Sequence, residues 1–595
     1  MLFTRLRSSA PSSFNRARRD TGDRWWRSLY HLSLGLLTGG LAIAIAPAQA
    51  ADYLYVNFGL LERSISIRSL GIYARSGQIE GDLRGYAQYA SDAQLADLRE
   101  VLQTPVEVSP AALSQFLYSA PGSVLLSRLG EVIRTEANLP GDRAIRAALV
   151  LAAADETNGL TPLNLLEKFP IQGIRIDLNR ALQIFNSIEQ VINQTKQIIC
   201  GVDSRSSQEA QAVVPPNLAQ LTDLRRPGPY TAVPQFITVT RPSAIPERGS
   251  RTNVLTRRIP TTLYLPVISG RTAPVPLVVI SHGLGSNRRT FAYLAEHLAS
   301  YGFAVAVPEH PNSNTEWLNG VIDGDSGQDL KPEELIERPL DITALLDTLE
   351  RDRPGSSTLS RIDTQTVGVI GQSLGGYTAL ALAGAPINLP QLKQDCNAEN
   401  ALDNTLNVSL VLQCSFLEKN LALPELRDRR VKAVFAINPL GSSLFGETGF
   451  AAIDIPVLLA ASGTDTITPA LIEQFTPFTW LTTPNRYLML MQNATHFSAI
   501  DITSADRGAI DLPREVIGPD PAIARRYVNA MSVAFLGTHL DQRFSEQTYL
   551  SAAYVERVLN NQPPNVLPNL LPISFVSARS SALLNPSDNP ECDLP

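Results

Sequence analysis

The sequence predicts an α/β fold, a mostly parallel sheet with helices on both faces, preceded by a small, mostly helical domain. Three observations carry that reading. Beyond residue 229, short apolar runs alternate with helix-length stretches, and runs such as VPLVVISHG (275–283) are apolar at nearly every position, as in strands buried on both faces. Residues 92–198 instead show mainly helical spacing. The 595 residues are 44% hydrophobic and 18% charged, enough apolar content for more than one folded core. A net charge of −7 and a pI near 5.6 argue against a general nucleic-acid binder, which would carry a basic face.

Taken in order, residues 1–50 differ from the rest. Seven arginines face two aspartates in 1–28, followed by the apolar run LYHLSLGLLTGGLAIAIA and the small-residue end Ala48-Gln49-Ala50. This reads as a signal peptide, with an uncleaved membrane anchor as the alternative. Residues 51–200 form the N-terminal domain. YLYVNFG and RSISIRSL read as strands. Ser109-Pro110 and Thr161-Pro162 open helices with a cap and a proline at the first position. Leu95, Leu98 and Leu102, and again Leu182, Phe185, Ile188 and Ile192, recur at helical spacing and read as bundle core. No acid, base or metal-ligand cluster appears there.

Residues 201–228, polar with a Pro-Pro pair, read as a linker. In 229–560 the expected strands are PQFITVT, TTLYLPV, VPLVVISHG, FAVAVPEHP, QTVGVIGQS, VKAVFAINP, IPVLLAASGTD and RYLMLMQN, with helices at 290–302, 333–351 and 521–538. An irregular insertion, 386–430, interrupts the alternation. The Pro- and Asn-rich tail, 561–595, is expected to drape over the surface. Cys200, Cys396, Cys414 and Cys592 contain no C-x-x-C pair, so a thiolate zinc site is not expected. Three disulfide pairings stay open, of which Cys396–Cys414 closes the shortest loop.

The chemistry gathers at Gly371-Gln372-Ser373-Leu374-Gly375. A strand that must turn sharply into a helix there lifts one hydroxyl clear of the sheet. Serine is a weak nucleophile without a base, and the partners of this motif follow it as acid and then histidine. His496 follows an expected strand, in NATHFSAID, whereas His539 falls in a helical pattern and is expected at the surface. Asp465 ends a strand at the carboxyl edge of the sheet. Asp454 starts that strand, and Asp501 is the rival, with a helix cap as its plainer role. The expected triad is Ser373, Asp465 and His496. The backbone N–H groups of Leu374 and Leu284 are the candidate oxyanion donors, the latter in Ser281-His282-Gly283-Leu284-Gly285. His282 could pass for a base, but a ring hydrogen-bonded to shape its loop is the plainer reading. His282, Gly283, Glu309 and His310 are expected around the substrate, as pocket wall or just behind it.

The segments VVISHGLGSNRRTFAYLAEHLASYGFAVAVPEHP, GQSLGGYTAL, SGTD and ATHF resemble the alpha/beta-hydrolase superfamily, over roughly 229–540. Within it the chain looks like the platelet-activating-factor acetylhydrolase and dienelactone hydrolase branch. The HGLG loop and EHP strand end are closest to the acetylhydrolases; dienelactone hydrolases use a cysteine where this chain has Ser373. The DTITP and ATHF segments are also similar to cutinase-like polyester hydrolases. YLYVNFGLLERSISIRSLGIYARSGQIEGDL looks like the N-terminal region of secreted cyanobacterial alpha/beta hydrolases of unassigned function.

The resemblance implies an alpha/beta-hydrolase fold and a secreted serine hydrolase of carboxylic esters, lipid esters among them, working through an acyl-enzyme without metal or cofactor. A polyester or aromatic-ester hydrolase, an acyltransferase and a non-catalytic binding protein on the same scaffold are the alternatives. The expected partner is a small-molecule or lipid ester, with association at a membrane surface left open and no nucleic acid. The insertion, pinned by Cys396–Cys414, is expected to lie over the site as a lid.

Overall fold

The computed structural model describes residues 51–58, 61–106, 108, 110–118, 120–212, 221–243, 256–270, 273–323, 331–356, 359–397, 407–418, 421, 423–501, 517–518, 521–544, 546–560 and 571–577. The signal-like segment 1–50, Ser109 and Cys592 lie outside them.

The N-terminal unit contains β1 (Tyr53–Phe58), β2 (Leu61–Ser66), α1 (Ile67–Ser76), α2 (Asp92–Gln103), α3 (Pro110–Tyr118) and α4 (Ala120–Val132). It continues through β3 (Ile133–Thr135), α5 (Asp142–Ala153), α6 (Pro162–Glu167) and β4 (Gly173–Asp177), then enters α7 (Leu178–Ala212). It is mostly helical, but its strands form one sheet in the order β2-β1-β4-β3, with β3 and β4 legible only in three dimensions. RSISIRSL is half strand and half helix. Ser66 ends β2 and caps α1, its hydroxyl accepting from Ser69 N–H at 3.2 Å. Thr161 caps α6 in the same way, with Pro162 at the first helical position.

The expected linker is corrected by the structure. Residues 201–212 continue α7, which is 35 residues long, and Ile198 and Val202 bury in the core of the large sheet. Leu224, further along, is fully buried, and its carbonyl is bonded by His297 Nε2 at 2.9 Å. The polar look of 201–212 is the solvent side of a helix whose other side meets the second unit. The stripe on the first half of α7 is corrected too, because Leu182 and Ile192 are exposed.

The second unit is a nine-stranded sheet, ordered β13-β12-β11-β10-β9-β7-β8-β6-β5. Its strands are β5 (Ala232–Pro242), β6 (Thr256–Pro266), β7 (Val275–Ser281), β8 (Ala304–Pro308), β9 (Ile362–Gln372), β10 (Val431–Ile437), β11 (Val457–Ser462), β12 (Arg486–Met491) and β13 (Ile573–Ser577). β12 through β8 in that order are parallel, with β6, β5 and β13 antiparallel at the edges. The tail thus does not simply drape. Ile573–Ser577 closes one edge, where Phe575 N–H donates to Ser206 Oγ of α7 at 3.0 Å.

Helices α8 (Ala292–Ser300), α9 (Thr315–Asp323), α10 (Glu334–Asp352), α11 (Leu374–Ala383), α12 (Leu389–Asn397), α13 (Val408–Ser415), α14 (Ser442–Ala451) and α15 (Pro521–His539) accompany this sheet. Two hydrophobic cores lie on its two faces. β7, β8 and β11 are buried along their whole length, which is why their sequences are continuously apolar. Pro339 interrupts the hydrogen bonding of α10, and the Leu335 carbonyl it leaves free accepts from Tyr377 O–H at 2.9 Å. His539 is also corrected: it is half-buried, with Nε2 3.1 Å from Tyr487 Oη.

The two units meet at the carboxyl end of the sheet. α3 lies against α9, and α4 against α13 of the insertion. Among the described residues, no helix is long and apolar enough to cross a membrane.

Candidate active site

The chain runs from β7 to β8 on one side of the sheet and through β9 to β10 on the other, so the loops after β7 and β9 part at the carboxyl edge. Such a switch point is where open α/β sheets place their ligands. Ser373 stands there, between β9 and α11, at φ 56° and ψ −120°, a conformation few non-glycine residues adopt. Its neighbours explain the glycines. A Cβ on Gly371 would run into the Gly375 backbone, and one on Gly375 into the Ser281 carbonyl, so α11 comes this close to β7 and β9 only without side chains. Ser373 N–H donates to Ile437 O at 2.9 Å, tying the turn to β10.

His496 and Asp465 come together from the loops after β12 and β11. His496 Nδ1 lies 2.7 Å from Asp465 Oδ2. Asp465 Oδ1 accepts from the N–H groups of Ile467 and Thr468, each at 2.8 Å, and Oδ2 also accepts from Thr468 Oγ1 at 2.9 Å. A carboxylate with four donors is fixed in place. It holds the imidazole with Nδ1 as donor and Nε2 as the nitrogen left to accept a proton. Gln372 brings this pair to the elbow, since its Nε2 donates to His496 O at 3.2 Å. Thr464 N–H to Ala494 O, at 3.0 Å, stitches the acid loop to the histidine loop. The other acids stand elsewhere. Asp454 pairs with Arg427 at 2.6 Å, and Asp501 lies 3.6 Å from Arg525.

The loop after β7 faces the elbow, where a Cβ on Gly283 would collide with the Gln372 side chain. Among the described residues, neither Leu284 N–H nor Leu374 N–H has a hydrogen-bond acceptor. The second of these is the first amide of α11 and has no partner within the helix. Leu284 itself is 37% exposed.

His282 and His310 are corrected as substrate contacts. Both are fully buried with both ring nitrogens occupied. His282 Nδ1 lies 2.8 Å from Gly283 O, and its Nε2 accepts from His310 N–H at 3.0 Å. His310 Nδ1 meets Asp341 Oδ2 at 3.1 Å, and its Nε2 meets Ser281 Oγ at 3.0 Å. Burial pushes the His310 pKa down to about 4 despite Asp341, and holds His282 well below the usual histidine range, so both rings are neutral at pH 7. Ser281, His310 and Asp341 thus make a hydrogen-bonded Ser–His–Asp chain sealed from solvent. Glu309 is also spent internally, on Arg288 at 2.6 Å and Asn314 at 2.9 Å.

Cys396 and Cys414 are joined by a disulfide with their Cα atoms 5.7 Å apart, and Cys200 is disulfide-bonded as well. The insertion is partly helical, and α13 reaches the acid loop, where Ser409 N–H donates to Ile467 O at 3.0 Å. Thr468, Gln372 and Glu473 were not legible as part of the site. Only the D-T-I-T spacing, an aspartate with a threonine three residues on, hints at the first. Among the described residues no group of three or more His, Cys, Asp or Glu side chains gathers as a metal site.

A serine on a strained strand-to-helix turn, with an imidazole–carboxylate pair on neighbouring strand ends, is the arrangement of an α/β hydrolase. Two family models match. Residues 50–177 match "Alpha/beta hydrolase of unknown function (DUF1400)", and residues 249–327 match "Platelet-activating factor acetylhydrolase, isoform II". The platelet-activating factor acetylhydrolase of Bos taurus is 27% identical over 137 residues, 18% of this chain and 31% of that protein. That of Canis lupus familiaris is 28% identical over the same length and the same shares. The chain therefore spans less than a third of either relative. The fold and these matches support the alpha/beta-hydrolase superfamily, and within it the chain resembles the platelet-activating-factor acetylhydrolases.

Proposed function

We propose that the chain is an exported serine hydrolase of carboxylic esters, with Ser373 as nucleophile, His496 as general base and Asp465 as the group that orients the imidazole. The observation that carries this is the Asp465–His496 pair at 2.7 Å, joined through Gln372 to a serine held in an elbow conformation. In the first step Ser373 Oγ attacks the acyl carbonyl while its proton passes to His496 Nε2. The carbonyl oxygen becomes an oxyanion, which the N–H groups of Leu284 and Leu374 are free to bind. His496 then gives the proton to the departing alkoxide, leaving an acyl-serine. Water, deprotonated by the same imidazole, attacks that ester and restores the serine.

A lipid ester is the substrate class we favour. Its support is the name of the two relatives, together with the apolar stretch VSLVLQC that the insertion carries beside the acid loop. The basic, then apolar, then small-residue pattern of 1–50 supports export. Ser373→Ala should abolish hydrolysis of p-nitrophenyl esters and labelling by a fluorophosphonate while leaving the circular dichroism unchanged. Parental activity in that variant, or labelling of another serine, would overturn the assignment.

A further inference from the structure

Arg338 is one of the largest side chains with no solvent exposure in the molecule. Among the described residues no carboxylate bonds it directly. Its Nη1 donates to His282 O at 2.6 Å, its Nη2 to Gly283 O at 3.4 Å and Ser313 O at 3.2 Å, and its Nε to Ser313 Oγ at 3.0 Å. Glu334 is reached only through that hydroxyl, which donates to Oε2 at 3.1 Å. Burial pushes the guanidinium pKa down to about 10, so the group still carries its charge at pH 7. Taking a cation out of water without a directly bonded anion is unfavourable for folding, and an apolar side chain of similar volume would serve a core as well.

What the fork does hold is a loop. Gly283 O accepts from Arg338 Nη2, His282 Nδ1 and Ser286 N–H, the last at 3.3 Å. A trans peptide is planar, and its C=O and N–H point in opposite directions. Drawing the Gly283 carbonyl inward therefore turns the Leu284 N–H outward, and drawing the His282 carbonyl inward does the same for Gly283 N–H. Gly283 lies against the elbow, since a Cβ there would meet the Gln372 side chain, and among the described residues the Leu284 N–H has no acceptor.

We propose that Arg338 is a positioning residue that sets the Leu284 amide in the direction an oxyanion on Ser373-bound substrate requires. This rests on the serine-hydrolase reading above. Lysine in its place keeps a charge but presents one ammonium where the guanidinium spreads a rigid fork, and does not hold both carbonyls at once.

The test compares the full-length chain with Arg338→Lys, and with Arg338→Met should the lysine variant fail to fold. Three quantities are read: kcat and KM on a p-nitrophenyl ester, the inhibition constant of a trifluoromethyl ketone, and amide hydrogen exchange of the 282–286 segment. The expected result is a roughly 10- to 100-fold lower kcat with KM within twofold, less than the roughly 10²- to 10³-fold loss on removing an oxyanion donor outright. The ketone, which forms a tetrahedral adduct, should lose affinity by a similar factor, and the loop should exchange at least tenfold faster. Parental kcat and loop protection would overturn the proposal, as would a lower kcat with undiminished ketone affinity. If the parent chain hydrolyses no ester, the functional reading fails separately, and exchange of the loop still decides whether Arg338 holds it.

Discussion

Asp465 accepts four hydrogen bonds from three residues, and each constrains the imidazole it faces. Asparagine there would either present an N–H₂ group to the backbone donors or give His496 Nδ1 no anion to bond, favouring the wrong tautomer. Asp465→Asn should lower kcat by roughly 10³- to 10⁴-fold with little change in KM, measured on a short ester beside a melting curve. Asp501→Asn should leave kcat within twofold, since its carboxylate lies against Arg525. The places of Ser373, Asp465 and His496 after strand ends were legible because each follows a recognisable strand. The roles of His282 and His310 were not. Sequence puts both rings at the carboxyl edge, and only the tertiary packing reveals that they point down into Arg338, Asp341 and Ser281 rather than outward.

Among the elements, one carboxylate gathers much of the insertion. Glu473 accepts from Asn407, from Ser409 Oγ at 3.0 Å and from Gln413 Nε2 at 2.8 Å, all of the insertion. It also accepts from Gly441 N–H at 2.9 Å, Ser442 N–H at 3.0 Å and Ser442 Oγ at 2.9 Å, at the start of α14. Gln413 Oε1 takes the next two amides, of Ser443 and Leu444, so the four open donors of that helix terminus are satisfied from outside it. Glu473→Ala strips six donors of their acceptor and should cost about 3–5 kcal/mol, read as a lower urea midpoint. Reducing Cys396–Cys414, 18 residues apart, should remove about 3 kcal/mol on the loop-entropy model. It should slow hydrolysis of long-chain esters more than of short ones if α13 walls the acyl site. Nothing in ALIEQF announces this role. A lone acid in an apolar helix gains its partners from segments more than thirty residues away, whereas the disulfide was legible from its short loop.

Across the whole molecule, burial of histidine sets the response to acid. Burial lowers the pKa of His297 and His310 to about 4 and holds that of His282 well below the usual histidine range, whereas an unfolded chain titrates near 6.5. Between pH 6.5 and 4 the unfolded chain therefore binds protons that the folded chain refuses. Stability falls as pH drops through that window, by something on the order of 3 kcal/mol for each of His297 and His310 at pH 4. His297→Gln, remote from Ser373 and bonded to Leu224 O, should melt with a shallower pH dependence than the parent. Identical slopes would sink this account. The alternation of strands and helices made the large sheet legible, but α7 was hidden by its polar half. At 35 residues and about 50 Å, it begins beside β1 and β4 and carries Ile198 and Val202 into the core of the large sheet before ending at Ala212. A chain starting at Arg226 loses those side chains and Ser206 from beside β13, and should aggregate or melt well below the parent. For anyone building chimaeras, this moves the seam. A donor head piece joined at 201 would sever a helix in mid-turn and part Ile198 from Val202 in one core, so exchangeable modules begin after 212 and must bring the whole shaft with them.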